Sequence, residues 1–509
     1  MRVRVAIMAA AASLAMAGPV WAKTPSAEAR AYRQAHEGAI VTQLVDLARV
    51  PSVAAQPAGL HEAANMLADQ LKRRGFVTRL LQGGEGAPKV VFGQLDTPGA
   101  KRTVTFYAHY DGQPVTPSQW ASDPFVPVMR SGPLSTKPVD VDWKTAKAPL
   151  DPEWRLFGRG VSDDKASIVA FLAAFDALKA AGRKPSVNIR IFWEGEEEAG
   201  SPHLEALLKA NAPLLASDLW LIGDGPVHQS RGRTVYFGAR GMIGFDAMIY
   251  GPVRPVHDGH YGNWVPNPAA LAASLIAEMR GEDGAIRIPG IAEKVRPLTE
   301  GERAAVAALP PVEAGLRKEL EIGRSEASDG LTASTLRPAL NIRGIRSGQV
   351  GAAANNAIPV DAEISIDFRL VPDLTPADVQ RSTEDFLTAK GWTIVREAPD
   401  AAMRQAHPKI IKIEWEPGYP GLRTDMNLPV SRAVLKAVER SSGKPALSLP
   451  MMGGSVPIYL FEDVLKAPVI GLPIVNHDNS QHAPNENLRL QNLWDGIETY
   501  AALMADLDW

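Results

Sequence analysis

Two adjacent carboxylates, Asp163 and Asp164, stand in the glycine-rich run Phe157-Gly158-Arg159-Gly160-Val161-Ser162-Asp163-Asp164-Lys165-Ala166-Ser167, directly ahead of an apolar stretch at 168–178. Fold stability does not favour such a pair. Buried like charges repel unless a cation lies between them, and a pair of metal ions would supply it. The chain has no cysteine, so disulfides and thiolate ligands are excluded, and any metal must be held by His, Asp and Glu. His109, Glu198, Asp224 and His482 lie on both sides of this turn as the remaining candidate ligands.

Each candidate also has a plainer reading. In His109-Tyr110-Asp111 the two outer side chains fall on one side of a strand end. His109 can then bind a metal through one ring nitrogen while Asp111 fixes its surroundings, although a capped turn would use Asp111 as well. The run Glu196 to Glu198 could be a solvated acidic stretch. It follows a hydrophobic strand, however, so one glutamate can bind metal while its neighbour takes a proton from water, as hydrolysis requires. Asp224, between two glycines, suits a ligand or an ordinary turn. His477 and His482 compete for the last ligand position. His36, His61, His203, His228 and His407 lack supporting context and read as surface or capping residues.

The surrounding pattern predicts elements that deliver these groups to one edge. Helices are expected over 27–49 and 60–74, and strands over 77–81, 89–94, 102–108, 187–193 and 219–222. Most candidates lie just past a buried strand, with helices between strands, and open α/β sheets place their sites there. The Pro-rich segment 131–154 is expected as a surface loop near the site mouth. After 242 the texture changes: strand 243–249, helix 266–280, strands 339–344 and 361–371, helix 376–390, strand 393–396. This β-α-β-β-α-β order predicts a small ferredoxin-like antiparallel sheet with two helices on one face. Residues 281–335 read as an extra insertion within it. From 418 the α/β texture resumes, with a helix at 430–439, a strand at 469–472 and a last helix reaching 509. The predicted division is a signal peptide at 1–22, catalytic parts at 23–241 and 418–509, and an inserted domain at 242–417.

A chain of 509 residues exceeds one ordinary core. Its 45% hydrophobic and 22% charged residues fit a soluble globular protein, and the net charge of −3 gives no reason to propose nucleic acid or an anionic membrane as partner. Arg2, Arg4, an apolar run at 5–17 and the small-residue site Val20-Trp21-Ala22 read as a cleaved export signal. The run falls short of the roughly 20 residues a membrane span needs. The reading predicts a periplasmic or secreted protein beginning near Lys23, with no membrane attachment in the mature form.

Taken together, His109-x-Asp111, Gly158-Arg159-Gly160-x-x-Asp163-Asp164-Lys165, Glu197-Glu198-Ala199-Gly200-Ser201, Asp224 and His482-x-x-Asn485-Glu486 resemble, in order and spacing, the dinuclear-zinc aminopeptidase-like exopeptidases. These include carnosinases, succinyl-diaminopimelate desuccinylase, glutamate carboxypeptidase and aminoacylases (metallopeptidase family twenty). The resemblance spans about residues 35 to 505. It implies an aminopeptidase-like catalytic domain, with a mostly parallel sheet and helices on both faces, and an inserted ferredoxin-like lid that also forms a homodimer. It implies two divalent metal ions, zinc being expected and manganese or cobalt also suited. Asp163 would bridge them, with His109 and Asp224 on one ion and Glu198 and His482 on the other. Glu197 would be the general base and Asp111 the partner of His109.

The resemblance further implies that His257, commonly supplied by the neighbouring subunit, contacts the developing oxyanion, with His260 as a fallback. The usual His-Ser-Gly is His-Asp-Gly here. Arg369 and Ser455 resemble residues that hold a substrate carboxylate, and Asn356 a further polar contact. The implied reaction is metal-dependent hydrolysis of an amide bond in a small peptide by a dipeptidase or carboxypeptidase; the alternative substrate is an N-acylated amino acid. The insertion at 281–335 and the loop at 131–154 depart from the smaller members, as does Lys165-Ala166 where many have Lys-Gly.

Overall fold

The computed structural model describes residues 23–509, so the export signal expected over 1–22 lies outside the described residues. Eight strands form the main sheet, in the order Val77–Gln82, Lys89–Leu95, Asn188–Glu194, Thr103–His109, Leu219–Ile222, Val469–Gly471, Thr234–Tyr236 and Leu447–Leu449. The four central strands run parallel. They are continuous apolar runs, as strands covered on both faces must be. The first two strands join them antiparallel as a hairpin, so the sheet is mixed around a parallel centre.

Helices cover both faces. Pro25–Ala48, Lys165–Ala180 and Leu490–Asp506 pack together on one face, and Leu204–Leu215 packs with Tyr459–Leu465 within the core of the other. Lys165–Ala180 is apolar almost all round because it lies between the sheet and outer helices. Phe171 marks its centre, with ring centroids 5.0 Å from Phe106 and 6.1 Å from Trp193. Truncating such a side chain costs roughly 3–5 kcal/mol. The helix that carries the hub turn is therefore anchored.

A second sheet has five strands in the order Ala339–Arg346, Asp361–Leu370, Gly241–Tyr250, Ile410–Trp415 and Thr393–Val395. Helices Pro268–Met279 and Pro376–Ala389 bury Ala272, Leu275, Met279, Val379 and Leu387 in its core. The predicted order accounts for four strands. The fifth, Ile410–Trp415, enters between Gly241–Tyr250, to which it is antiparallel, and Thr393–Val395, to which it is parallel. The sheet is thus larger than a four-stranded unit and not wholly antiparallel.

Residues 131–154 differ from their expected place at the site mouth. Leu150 N donates to Glu37 Oε2 at 2.6 Å, and Trp143 joins the main core. Two apolar anchors in a polar stretch pull this loop onto the first helix. The segment just before it reaches the hub instead: Arg159 N donates to the Pro124 carbonyl and Ala121 N to Asn485 Oδ1, both at 2.8 Å.

Candidate metal centre

The hub turn is held by one carboxylate from a distant loop. Glu486 is fully buried and accepts from Arg159 Nη1 at 2.8 Å, from Gly160 N, Ser162 N and Ser162 Oγ at 2.9 Å, and from Asp163 N at 3.0 Å. Gly160 takes φ +73°, and a Cβ there would press on the Lys165 chain at 3.2 Å, so glycine suits this position. Glu486 lies four residues after His482, so the bonds that set the turn also set the histidine loop. His482 itself holds φ +59°, a left-handed conformation uncommon outside glycine that surrounding contacts must maintain.

The Asp163 carboxylate faces two histidines. His109 Nε2 lies 3.1 Å from Oδ1 and His482 Nε2 lies 3.1 Å from Oδ2. His482 Nε2 is also 3.3 Å from Glu198 Oε2. Ligand atoms of His109, Asp163 and Glu198 all lie within 4.8 Å of one another. On the far side of the ring, His109 Nδ1 is 3.3 Å from Asp111 Oδ1. Asp111 does more: its carboxylate accepts from Glu197 N at 3.3 Å and Glu198 N at 3.0 Å, so it ties the histidine strand to the glutamate turn.

The three consecutive glutamates separate into three environments. Glu196 accepts from His203 N at 3.0 Å and contacts the ring Nδ1 at 2.9 Å, so it turns away from the hub. Glu197 Oε2 lies 4.0 Å from His109 Nε2. Glu198 faces His482 and accepts from Gln113 Nε2 at 2.7 Å. Asp224, just past the Leu219–Ile222 strand, is close enough for Asp163, His109 and His482 to act on its charge.

The electrostatics are those of too many carboxylates out of water. Burial, then the Asp163 charge, pushes Glu198 up to about 8 and Asp224 up to about 6. Burial also raises Glu197 and Asp164 well above the carboxylate range. Asp163 moves the other way: burial would raise it, but His109 and His482 outweigh burial and lower it. Asp163, the bridging candidate, is the member held ionised.

The donor set fits a metal ion. Asp163 Oδ2 and Glu198 Oε1 are buried and accept no hydrogen bond, although His482 Nε2 stands 3.1 Å from the first. Two ligand atoms each about 2.0 Å from one ion at a tetrahedral angle stand about 3.3 Å apart. The His–carboxylate spacings match that figure, without hydrogen-bond geometry to account for Asp163 Oδ2. Nitrogen and oxygen donors alone suit zinc, manganese or cobalt.

The remaining candidates form two separate groups. Arg369 Nη1 donates to Ser455 Oγ at 2.9 Å, and Arg369 Nε lies 2.9 Å from Asp367. His257 and Asn356 share a loop pair, in which the Asn356 carbonyl accepts from Asp258 N at 3.1 Å. The His257 side chain is exposed, and among the described residues no hydrogen bond or ion pair joins it to the hub. His477 points away, its Nε2 4.0 Å from Glu319 Oε2 in the insertion. His228, read as a surface or capping residue, is buried, with Nδ1 2.9 Å from Ser230 Oγ. Sequence reasoning gave no role to Glu486 or Gln113. Glu486 stood within a quoted motif and Gln113 two residues beyond another, and only the distance each spans in the fold reveals its use.

Known proteins are similar to this chain in sequence and in fold. Residues 105–506 match the profile of the Peptidase family M20/M25/M40. The Cys-Gly metallodipeptidase dug1 of Schizosaccharomyces pombe is 27% identical over 82% of this chain and 83% of its own length. The human Beta-Ala-His dipeptidase is 24% identical over 94% of this chain and 91% of its own. The solved dipeptidase Dug1p of Saccharomyces cerevisiae superposes with a TM-score of 0.75 at 23% identity, covering 95% of this chain and 98% of that one. Human carnosine dipeptidase 1 superposes with a TM-score of 0.74 at 22% identity, covering 95% and 99%. These relatives overturn one expectation. The Dug1 enzymes are cytosolic, so the periplasmic or secreted location predicted from the N-terminus does not stand. A basic start followed by a short apolar run is a compositional signal alone. No helix among the described residues is long and apolar enough to cross a membrane.

Proposed function

Because this chain belongs to the Peptidase family M20/M25/M40, we propose that it is a metal-dependent dipeptidase that hydrolyses the amide bond of small peptides. The observation that carries the reading is the Asp163 carboxylate, with a histidine 3.1 Å from each oxygen and one buried oxygen left without a hydrogen bond. Two divalent ions, zinc being expected, would be held by Asp163 between them, by His109 and Asp224 on one side, and by Glu198 and His482 on the other. Such ions supply Lewis-acid polarisation of the carbonyl and a water of lowered pKa.

The chain's own residues do the rest. Glu197, buried beside His109, takes the proton from the attacking water and returns it to the leaving amine, a role worth roughly 10²–10⁴ in rate. Asp111 holds the His109 ring and both glutamate amides, so base and ligands keep one spacing. Arg369, with Ser455, offers a fork for the substrate carboxylate, and Asn356 a further polar contact. The lid is taken as 242–417 and the catalytic parts as 23–241 and 418–509. Among the described residues His257 is exposed and joined to nothing in its own hub, which supports a homodimer through the lid in which it reaches the partner's oxyanion. The N-acyl-amino-acid alternative is less favoured, because the similar curated proteins are dipeptidases.

The test begins with protein stripped by chelator and reloaded with zinc. Activity on a dipeptide panel should vanish and return. Glu197→Gln should bind as much zinc as the wild type while losing at least about 10²-fold in kcat. Turnover by the stripped protein, or near-normal kcat in the variant, would refute the assignment.

A further inference from the structure

Part of the insertion does not stay with the lid. It crosses to the catalytic part and comes back. Its helix Glu300–Ala307 packs against the strand Leu447–Leu449. Glu302 Oε1 meets Arg423 Nε at 2.9 Å, with the two side chains only 7% and 3% exposed. Glu302 also closes a capping box with Thr299, which fixes where its carboxylate stands. Beside this pair, Val295, Leu298 and Val306 pack on a small core of Leu336, Val371 and Met451. A buried ion pair adds little net stability over apolar residues of the same size, but losing one partner strands a charge. Its use here is to hold one register.

The far end of the crossing segment meets the turn that leads into Ser455, one side of the residues read above as the carboxylate fork. Thr335 bonds its hydroxyl to its own helix, at the Thr332 carbonyl. Its methyl lies 3.2 Å from the place a Cβ on Gly453 would occupy. Arg337 offers its carbonyl to Arg240 Nη2 at 3.0 Å, and Arg240 N donates to the Gly454 carbonyl at 3.1 Å. Gly453 and Gly454 lead directly into Ser455, whose hydroxyl accepts from Arg369. The core residues Met451 and Val371 stand four before Ser455 and two after Arg369. Both sides of the fork are thus backed by the same segment.

We propose that residues 292–337 form a strap that walls the carboxylate end of the substrate cleft and sets the size of the C-terminal residue the enzyme releases. The proposal rests on the dipeptidase reading and on the placing of Arg369 and Ser455. Glu302 and Arg423 are positioning residues, and Thr335 is the point of contact. A strap locked by a buried pair keeps Gly453 and Ser455 at one distance from the hub, so a large leaving residue must displace it.

The experiment uses the full chain loaded with zinc and three dipeptides, Ala-Gly, Ala-Leu and Ala-Trp. The variants are Glu302→Gln, the double change Glu302→Met with Arg423→Met, and Thr335→Trp. The double change removes both charges and keeps apolar bulk, so it tests the lock even where Glu302→Gln fails to fold. Releasing the strap should raise kcat/KM for Ala-Trp relative to Ala-Gly by about tenfold, the scale on which pocket walls discriminate. Thr335→Trp should move that ratio the other way. A ratio unchanged within about twofold in the double and Thr335 variants, at wild-type zinc content, overturns the strap. Should zinc-loaded wild type cleave none of the three, the dipeptidase reading fails and the strap falls with it.

Discussion

Glu486→Ala is the perturbation whose cost the structure lets one work out. The carboxylate accepts five hydrogen bonds between 2.8 and 3.0 Å, and one of its donors, Arg159, is buried with it. Removing one partner of a buried ion pair costs about 3–5 kcal/mol. Each buried N–H left without an acceptor adds about 1–3 kcal/mol unless water enters the space. A loss on the order of 5 kcal/mol follows, and in a chain of 509 residues, where each kcal/mol moves the midpoint by about 1 °C, the thermal midpoint should fall by roughly 5 °C. Glu486→Gln keeps the shape but turns an amide NH₂ toward backbone donors, so it should fall between the two. Differential scanning fluorimetry reads the midpoint, and zinc analysis reads the second consequence, because the same bonds hold Asp163 and the His482 loop together. A Glu486→Ala protein that melts within about 2 °C of wild type, with full zinc content, would refute the reasoning.

His482→Ala should lower zinc content at equilibrium against a chelator while His477→Ala leaves it unchanged, since only His482 faces Asp163 and Glu198. Asp478, beside that loop, is pushed down to about 2 from 3.8: burial opposes the shift, but Arg155 at 2.7 Å and Asn476 outweigh it. A depressed carboxylate stabilises the fold above its unfolded pKa, and that stability is lost as pH falls through the folded value. The shift corresponds to about 2 kcal/mol. Asp478→Asn should therefore be less stable than wild type by about that amount at pH 7, with the gap narrowing between about pH 4 and pH 2 in denaturant melts.

The sequence was most legible where one physical cause acts alone. The strand Thr103–His109 and helix Lys165–Ala180 are continuous apolar runs, and burial on all sides leaves no other reading. Glu198 and His482 were chosen through the family resemblance, because the residues alone left the run Glu196 to Glu198 undivided and His477 and His482 in competition. Ile410–Trp415 was missed because Lys412 and Glu414 break it into a short alternation whose strand character depends on Gly241–Tyr250, about 165 residues earlier, lying beside it. The 131–154 loop was misplaced because composition reports polarity, and two buried anchors, Trp143 and Leu150, decide where it lies. Glu486 shows the same limit at the site itself. Its five donors lie more than 320 residues away in the chain, and no local pattern can announce an acceptor for a turn that distant.

The division of labour among the site's carboxylates follows from how each finds its positive charge. Asp111, Asp163, Asp164, Glu194, Glu197, Glu198, Asp224 and Glu486 lie close together around the hub, and most are fully buried. Arg159 satisfies Glu486, and buried Lys165 lies near Glu486 and Asp111. Glu194, which burial pushes up to about 7, accepts from Tyr107 at 2.9 Å, and Asp164 accepts from Ser167; each keeps one buried oxygen without a partner, as a neutral acid can. Among the described residues that leaves Asp163, Glu198, Asp224 and Glu197 with no cation of their own but histidine. Histidine can take a proton or bind a metal through the same nitrogen, not both. If His109 and His482 are protonated, the cluster is two ion pairs with no chemistry to perform. If they are neutral, the carboxylates need divalent ions in the protons' place, and those ions add binding free energy to the fold. Asp163 Oδ2 is buried 3.1 Å from His482 Nε2 with no hydrogen bond between them, the spacing of two donors on one ion, so the second arrangement accounts for an oxygen that the first leaves bare.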